Sequence, residues 1–365
     1  MPPALRYRDF RVFCIGLALS GFGSQFSTVA MAWQIYELTR SPIQLGLLGL
    51  TRALPQMALA LVGGLLADRY DRRRLLMAAQ LAQFAVSATL LALTLAGVVT
   101  PLALYLASGL LAVGTALETP SRQAIIPDLV PADALTSALA LNQTLRNTGA
   151  IVGPAVAGIL IAAGGVAACY GIDALSWLAM LVALLLISGV GSRLPSVAAS
   201  PWTALREGLR FVWTHPVLLS LMALDFGATL FGEARALYPI YAREILRVGP
   251  EGLGALYTAS AAGTVAAALV MARMGRVHRA GVWTLWGVAV YGACTVAFAL
   301  SPAFWFSLLM LAGSGAGNLV SAVLRGTINQ LSTPPALRGR VSAVNTIFVQ
   351  GGPQLGSSSR AWWRR

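Results

Sequence analysis

Lysine is absent from this sequence of 365 residues. The 26 basic side chains are all arginine, they face only 13 carboxylates, and charged residues of both signs make up 11% of the chain. Soluble globular proteins carry about a quarter charged residues, which argues against a soluble fold. Histidine occurs twice, as His215 and His278, and there is no HExxH and no phosphate-cradling loop. Membrane proteases, metallohydrolases and ATP-driven pumps therefore lack their usual equipment, and the chain reads as no enzyme. The cysteines, Cys14, Cys169 and Cys294, are odd in number and lie inside apolar runs. That excludes a disulfide framework and a metal site, and no cofactor is expected. The net charge of +13 invites a nucleic-acid partner. However, the arginines sit in loops between apolar runs, without the basic face and stacking aromatics that nucleic acid needs.

Apolar residues fill the remainder: they are 57% of the chain, and mean hydropathy is +0.72. A helix needs about 20 apolar residues to cross a bilayer. By that ruler, spans fall near 11–36, 43–66, 75–98, 101–120, 135–163, 166–190, 217–241, 252–274, 281–300, 303–324 and 341–356. The expected fold is an all-α polytopic membrane protein of about eleven spans, with the runs through Pro127 and Pro334 open to re-entry at the interface. The first run is too long, and too poor in a cleavage site, for a removable signal peptide. Seventeen arginines lie in the N-terminus and the even-numbered loops, against Arg40, Arg243 and Arg247 in the odd-numbered ones. Basic loops stay in the cytoplasm, so the N-terminus is expected there, in a multi-pass protein of the plasma (inner) membrane.

The chain repeats itself. A shift of 203 positions lays Gly114, Arg122, Ile125, Pro131, Asn142 and Gly149 on Gly317, Arg325, Ile328, Pro334, Asn345 and Gly352. A shift of 208 lays Pro42, Leu45 and Gly46 on Pro250, Leu253 and Gly254, and puts Arg276 where the first half has Asp68. Residues 1–190 form a six-helix half, 191–216 a cytoplasmic linker and 217–356 a second half of five spans. In the linker, Trp202, Leu205, Leu209 and Val212 recur at helical intervals opposite Arg206, Glu207 and Arg210, the pattern of an amphipathic surface helix. Parallel repeats of this kind place a substrate site at the bilayer midplane between the halves, where rocking alternates access.

Two motifs carry a family resemblance. The hairpin Gly64-x-x-x-Asp68-Arg69-x-Asp71-Arg72-Arg73 resembles the loop between helices two and three of major facilitator superfamily transporters, with Asp71 where that family usually has glycine. In span five, Gly149-x-x-x-Gly153-Pro154-x-x-Ala157-Gly158 resembles the motif of proton-coupled exporters of that superfamily, with Ala157 in place of one glycine. Glycines four or five apart let helices approach closely, so a purely packing role is the competing reading. The segments 236–246 and 120–127 are similar to the branch that includes the enterobactin exporter and related drug exporters. The resemblance implies an all-α fold of two six-helix halves, a gating role for the hairpin, and export of a small amphipathic molecule, a drug or siderophore, against protons. It implies a monomer whose other partner is the lipid bilayer. The alternative is a non-transporting membrane protein, a sensor or an inactive truncated remnant.

Ionisable residues inside spans are costly and usually functional. Here they are Arg52, Glu118, Arg146, Asp173, Asp225, Glu233 and Arg235. Asp225 and Glu233 stand eight apart, about 80° around one helix, and a carboxylate withdrawn from water can exchange a proton near neutral pH. They are the proton-coupling candidates, with Arg146 and Arg235 as possible ion-pair partners that would make them static instead. Glu118 and Asp173 lie near the ends of their expected spans and read as structural. In span one Ser20, Ser24, Ser27 and Thr28, with Gln25, form a polar stripe that either lines a cavity or packs against neighbouring helices. The repeat calls for a sixth span in the second half, yet residues 357–365, SSSRAWWRR, cannot supply one. Either Trp362 and Trp363 anchor the end at the interface, or the reading frame shifts near Gly356; the second is the expectation.

Overall fold

Helices follow the apolar runs closely, and the departures come where packing overrides hydropathy. The computed structural model describes residues 3–69, 71–187, 209–232, 235–274, 279–334 and 341, and every regular element among them is helical. The contact pattern divides the chain into two units, Met1–Val197 and Ala198–Arg365. Seven of the described helices are long and apolar enough to cross a membrane.

The first unit contains α1 (Arg8–Thr39), α2 (Pro42–Arg69), α3 (Arg72–Leu95), α4 (Pro101–Leu129) and α5 (Leu135–Leu186). A straight helix of 52 residues would be about 78 Å long at 1.5 Å per residue, against about 30 Å of hydrocarbon. Gly165 resolves the mismatch. Its φ of 69° and ψ of −179° break the helix with a backbone that only glycine adopts without strain. The chain then doubles back, bringing the Cys169 thiol within 3.9 Å of the Ala157 carbonyl. The arms 135–164 and 166–186 are thus two antiparallel helices, close to the division expected from hydropathy.

One apolar cluster shows how the helices alternate. Phe10 and Phe13 from the start of α1, Leu76 from the start of α3, Ile125 and Ile126 from the end of α4, and Met180 and Leu184 from the end of α5 bury one another. The starts of α1 and α3 and the ends of α4 and α5 therefore share one end of the unit. The same cluster explains a correction. Span four was expected to stop at 120, with re-entry near Pro127, but α4 runs through Pro120 and Pro127 to Leu129 because Ile125 and Ile126 are fully buried in the cluster. Outside, the unit is apolar: Leu102, Leu106 and Leu110, one helical turn apart on α4, are exposed by more than half. A row like that suits lipid.

The second unit contains α6 (Pro216–Gly232), α7 (Gly249–Arg273), α8 (Ala280–Leu300) and α9 (Phe304–Ser332). Span seven was expected to run on to 241. Instead α6 ends at Gly232 and the chain resumes as a 3-10 turn, Arg235–Leu237, a short helix at Tyr238–Ile240 and a turn of π-helix, Tyr241–Ile245. Pro239 lacks the N–H that a continuous helix needs, and an aromatic group fixes the irregular piece: Tyr241 packs on Phe298 with ring centroids 4.5 Å apart and donates its hydroxyl to the Ala299 carbonyl at 3.0 Å. Helix α9 lies against both α7 and α8 at bare-backbone distance. A Cβ at Gly263 would collide with the Ala312 carbonyl oxygen, and one at Gly315 with the Ser260 carbonyl oxygen. Without a hydrophobic drive between helices in lipid, such close packing is what holds them together. Of the expected linker helix, residues 209–214 are described and helical, and Val212 packs with Met222 and Val341. Residues 342–365, with the last span and the basic tail, lie outside the described residues.

Candidate functional site

Each unit encloses a polar cluster, and the first is built on the α1 stripe. Ser24, Ser27 and Thr28 line a small cavity with Arg52 of α2, Gln83 of α3, Ser108 and Thr115 of α4, and Asp173 and Trp177 of the second α5 arm. Helical spacing alone puts the three hydroxyls on one face. Ser20 stays outside, donating to the Leu17 carbonyl at 3.3 Å. Thr28 accepts from Arg52 Nη1 at 2.8 Å, which carries the guanidinium inward. Asp173 was expected near a span end; it is instead completely buried, and one oxygen accepts from Ser87 Oγ at 2.6 Å. Hydropathy cannot report this, because α1 and α3 supply the cover.

The exporter-type motif of α5 packs on α1. A Cβ at Gly153 would meet the Cβ of Gln25 at 2.6 Å, and one at Gly149 would meet the Gly21 carbonyl at 3.5 Å. Gly149, Gly153, Pro154 and Gly158 are all buried, so the small-residue face seats α5 on α1. Gln25, expected on the polar stripe, does not line the small cavity but packs here.

Two of the ionisable candidates, Glu118 and Asp225, each lie against a buried arginine. In α4, Arg122 Nη1 reaches Glu118 Oε1 at 2.8 Å across one turn, both side chains at least nine-tenths buried. Arg146 is exposed on α5. In the second unit Arg325, the repeat partner of Arg122, is buried against Asp225 and donates to Ser321 Oγ at 2.8 Å. Ser321 occupies the repeat position of Glu118 under the same shift of 203. Each half thus keeps a buried arginine with a carboxylate, but the acid comes from the same helix in the first and from α6 in the second. The sequence reading missed Arg325; its alignment with Arg122 was the signal that could have found it. Arg235 is exposed, and Glu233 lies outside the described residues.

Around the basic hairpin, the structure describes Asp71 and Arg73. Asp71 caps α3, its Oδ1 accepting from the Arg74 amide at 2.9 Å, which gives the unexpected aspartate the usual work of an N-cap. Arg73 donates to the Leu184 carbonyl at 2.7 Å, satisfying a carbonyl left unpaired at the end of α5, where a cation is favoured. The side chains of Gly64, Asp68, Arg69 and Arg72 lie outside the described residues.

Comparison with known proteins follows the same lines. A family model described as transmembrane secretion effector matches residues 2–363. The enterobactin exporters of Shigella boydii serotype 18 and of Escherichia coli O81 are 28% identical over 333 residues, covering 90% of this chain and 79% of theirs. A bacterial homologue of the iron transporter ferroportin, solved in the inward-facing state, superposes with a TM-score of 0.73 at 16% identity over 97% of this chain and 91% of its own. A bacterial homologue of the human lysosomal transporter Spinster, inward-facing and occupied, gives a TM-score of 0.72 at 17% identity over 97% of this chain and 80% of its own. At that identity the two solved structures establish a shared fold.

Proposed function

The chain belongs to the transmembrane secretion effector family of major facilitator transporters, and from that premise we propose that it is a proton-driven exporter of a small amphipathic molecule of the siderophore or drug class. It is a membrane transporter rather than an enzyme. The proposal adds outward direction, proton coupling and alternating access, in an inner-membrane monomer with a cytoplasmic N-terminus, six crossings in residues 1–190 and five in 217–356. The observation that carries it is the Asp225–Arg325 pair, an acid and a base buried together in helices that otherwise face lipid or one another. A proton placed on Asp225 would discharge the pair and free the arginine, which is the elementary step a coupled carrier needs. The exporter relatives supply the direction.

Inverted vesicles with an imposed proton gradient, screened over siderophores, dyes and antibiotics, test the reading. A substrate should accumulate inside and the accumulation should collapse with the gradient. Accumulation that survives collapse of the gradient removes proton coupling, and no accumulation of any compound leaves the non-transporting alternative.

The hairpin provides a second prediction. We place Asp68 in a cytoplasmic gate, which its position in the motif supports, so Asp68→Asn should cut transport about tenfold, equivalent to about 1.4 kcal/mol, while membrane insertion stays intact. Wild-type transport by that variant would remove the gate.

A further inference from the structure

The cavity of the first unit contains more unanswered polar groups than packing requires. Both polar atoms of Gln83 have no hydrogen-bond partner, and Asp173 Oδ1 has Ser27 and Trp177 within reach but neither in good hydrogen-bond geometry. These four residues are exposed by 4% or less, and all line one cavity. A buried polar group without a partner costs on the order of 1–3 kcal/mol, so several poorly satisfied groups around one space mark something that belongs inside. Size decides what. The cavity offers water about 20 Å³, slightly above the roughly 10–15 Å³ one water occupies by that measure and far below the about 300–1,000 Å³ of an organic ligand site.

Charge decides further. Arg52 lines the same space and already supplies a cation, which disfavours a metal ion there. The other groups from α1, α3 and α4 are neutral: Ser27, Ser87, Gln83 and Thr115. On the arm that carries Asp173, the ionisable neighbours are Cys169 and Tyr170. No carboxylate joins Asp173 in the cavity lining.

The geometry points to a proton-exchange site at Asp173, in which a single cavity water passes a proton to and from Oδ1 while Ser87 holds Oδ2 and Arg52 serves as the fixed countercharge. The step forms one O–H bond and breaks one, with nothing oxidised. The inference deepens the export reading by adding a proton carrier in the first unit beside Asp225 in the second. It rests on that reading only for its use in transport.

Infrared spectroscopy of the full chain in sodium-free phosphatidylethanolamine and phosphatidylglycerol vesicles tests it with the proton alone as probe. As pH falls, a carbonyl band of a protonated carboxylic acid should rise and shift in heavy water. Asp173→Asn should remove one component of it, Asp225→Asn should leave that component in place, and Ser87→Ala, which retains the acid but takes away its hydrogen-bond donor, should move the component's frequency. A band identical in Asp173→Asn and wild type, or a component that Ser87→Ala does not move, overturns the assignment. A band that sodium suppresses at constant pH also overturns it, in favour of a cation site. None of these readings needs a transported substrate, so failure here and failure of the export reading are distinguishable.

Discussion

Replacing Asp225 with alanine should destabilise the protein by about 3–5 kcal/mol, the usual consequence of stranding one member of a buried ion pair. The variant leaves the Arg325 guanidinium, nine-tenths buried, with the Ser321 hydroxyl as its remaining partner. Thermal unfolding of the purified chain in detergent measures the loss. The double variant Asp225→Ala, Arg325→Met should recover most of it, because removing both charges leaves nothing to compensate. Asp225→Asn separates structure from function: the amide still accepts a hydrogen bond but cannot exchange a proton. In the vesicle assay it should retain substrate binding and lose gradient-driven accumulation. If Asp225→Ala unfolds at the wild-type temperature, the pair is not holding α6 to α9; if Asp225→Asn still concentrates substrate, the coupled proton lies elsewhere.

The second large effect concerns the backbone contacts of α9. Gly263→Ala and Gly315→Ala should each lower stability by at least the roughly 1–3 kcal/mol of an overpacked core. The atoms in the way are the carbonyl oxygens of Ala312 and Ser260, which cannot rotate aside as a side chain can. Either α9 moves off α7 or the helices bend, and Thr264, whose hydroxyl lies 3.3 Å from the Gly315 carbonyl, loses that contact. Gly292→Ala on α8 is the control. A Cβ there meets nothing within 4 Å, and alanine is intrinsically better in a helix than glycine by about 1 kcal/mol, so this variant should be neutral or more stable. Equal melting temperatures for all three would show that the close approach is not what binds these helices.

How far the sequence could be read depended on the range of the interaction. Periodicity is local, so the hydroxyls of Ser24, Ser27 and Thr28 and the small face at Gly149 and Gly153 were visible in order along one helix. The division of 135–186 into two helices was visible as well, as separate apolar runs over 135–163 and 166–190. Position relative to a span end was a poorer guide. Asp173 lies near the start of an apolar run, yet its surroundings are set by Ser87, 86 residues away. The Asp225–Arg325 pair joins residues 100 apart, and only the internal repeat hinted at it. Pro127, which suggested re-entry at the interface, was overruled by the apolar cluster around Ile125 and Ile126.

The turn at Gly165 also bears on how this protein enters its membrane. Between Ile159 and Cys169 the chain has no charged or amide side chain, and the two arms meet at one residue with non-helical backbone. During biosynthesis the arms can therefore slip into lipid together as a helical hairpin, with no hydrophilic loop to haul across the bilayer. An epitope tag or a glycosylation acceptor inserted at that turn would put polar residues between two arms that meet at a single glycine. Reporters that map the far side of the first unit belong instead in the stretch between α3 and α4, where Gly97 adopts a φ of 72° and the chain leaves helix before Pro101.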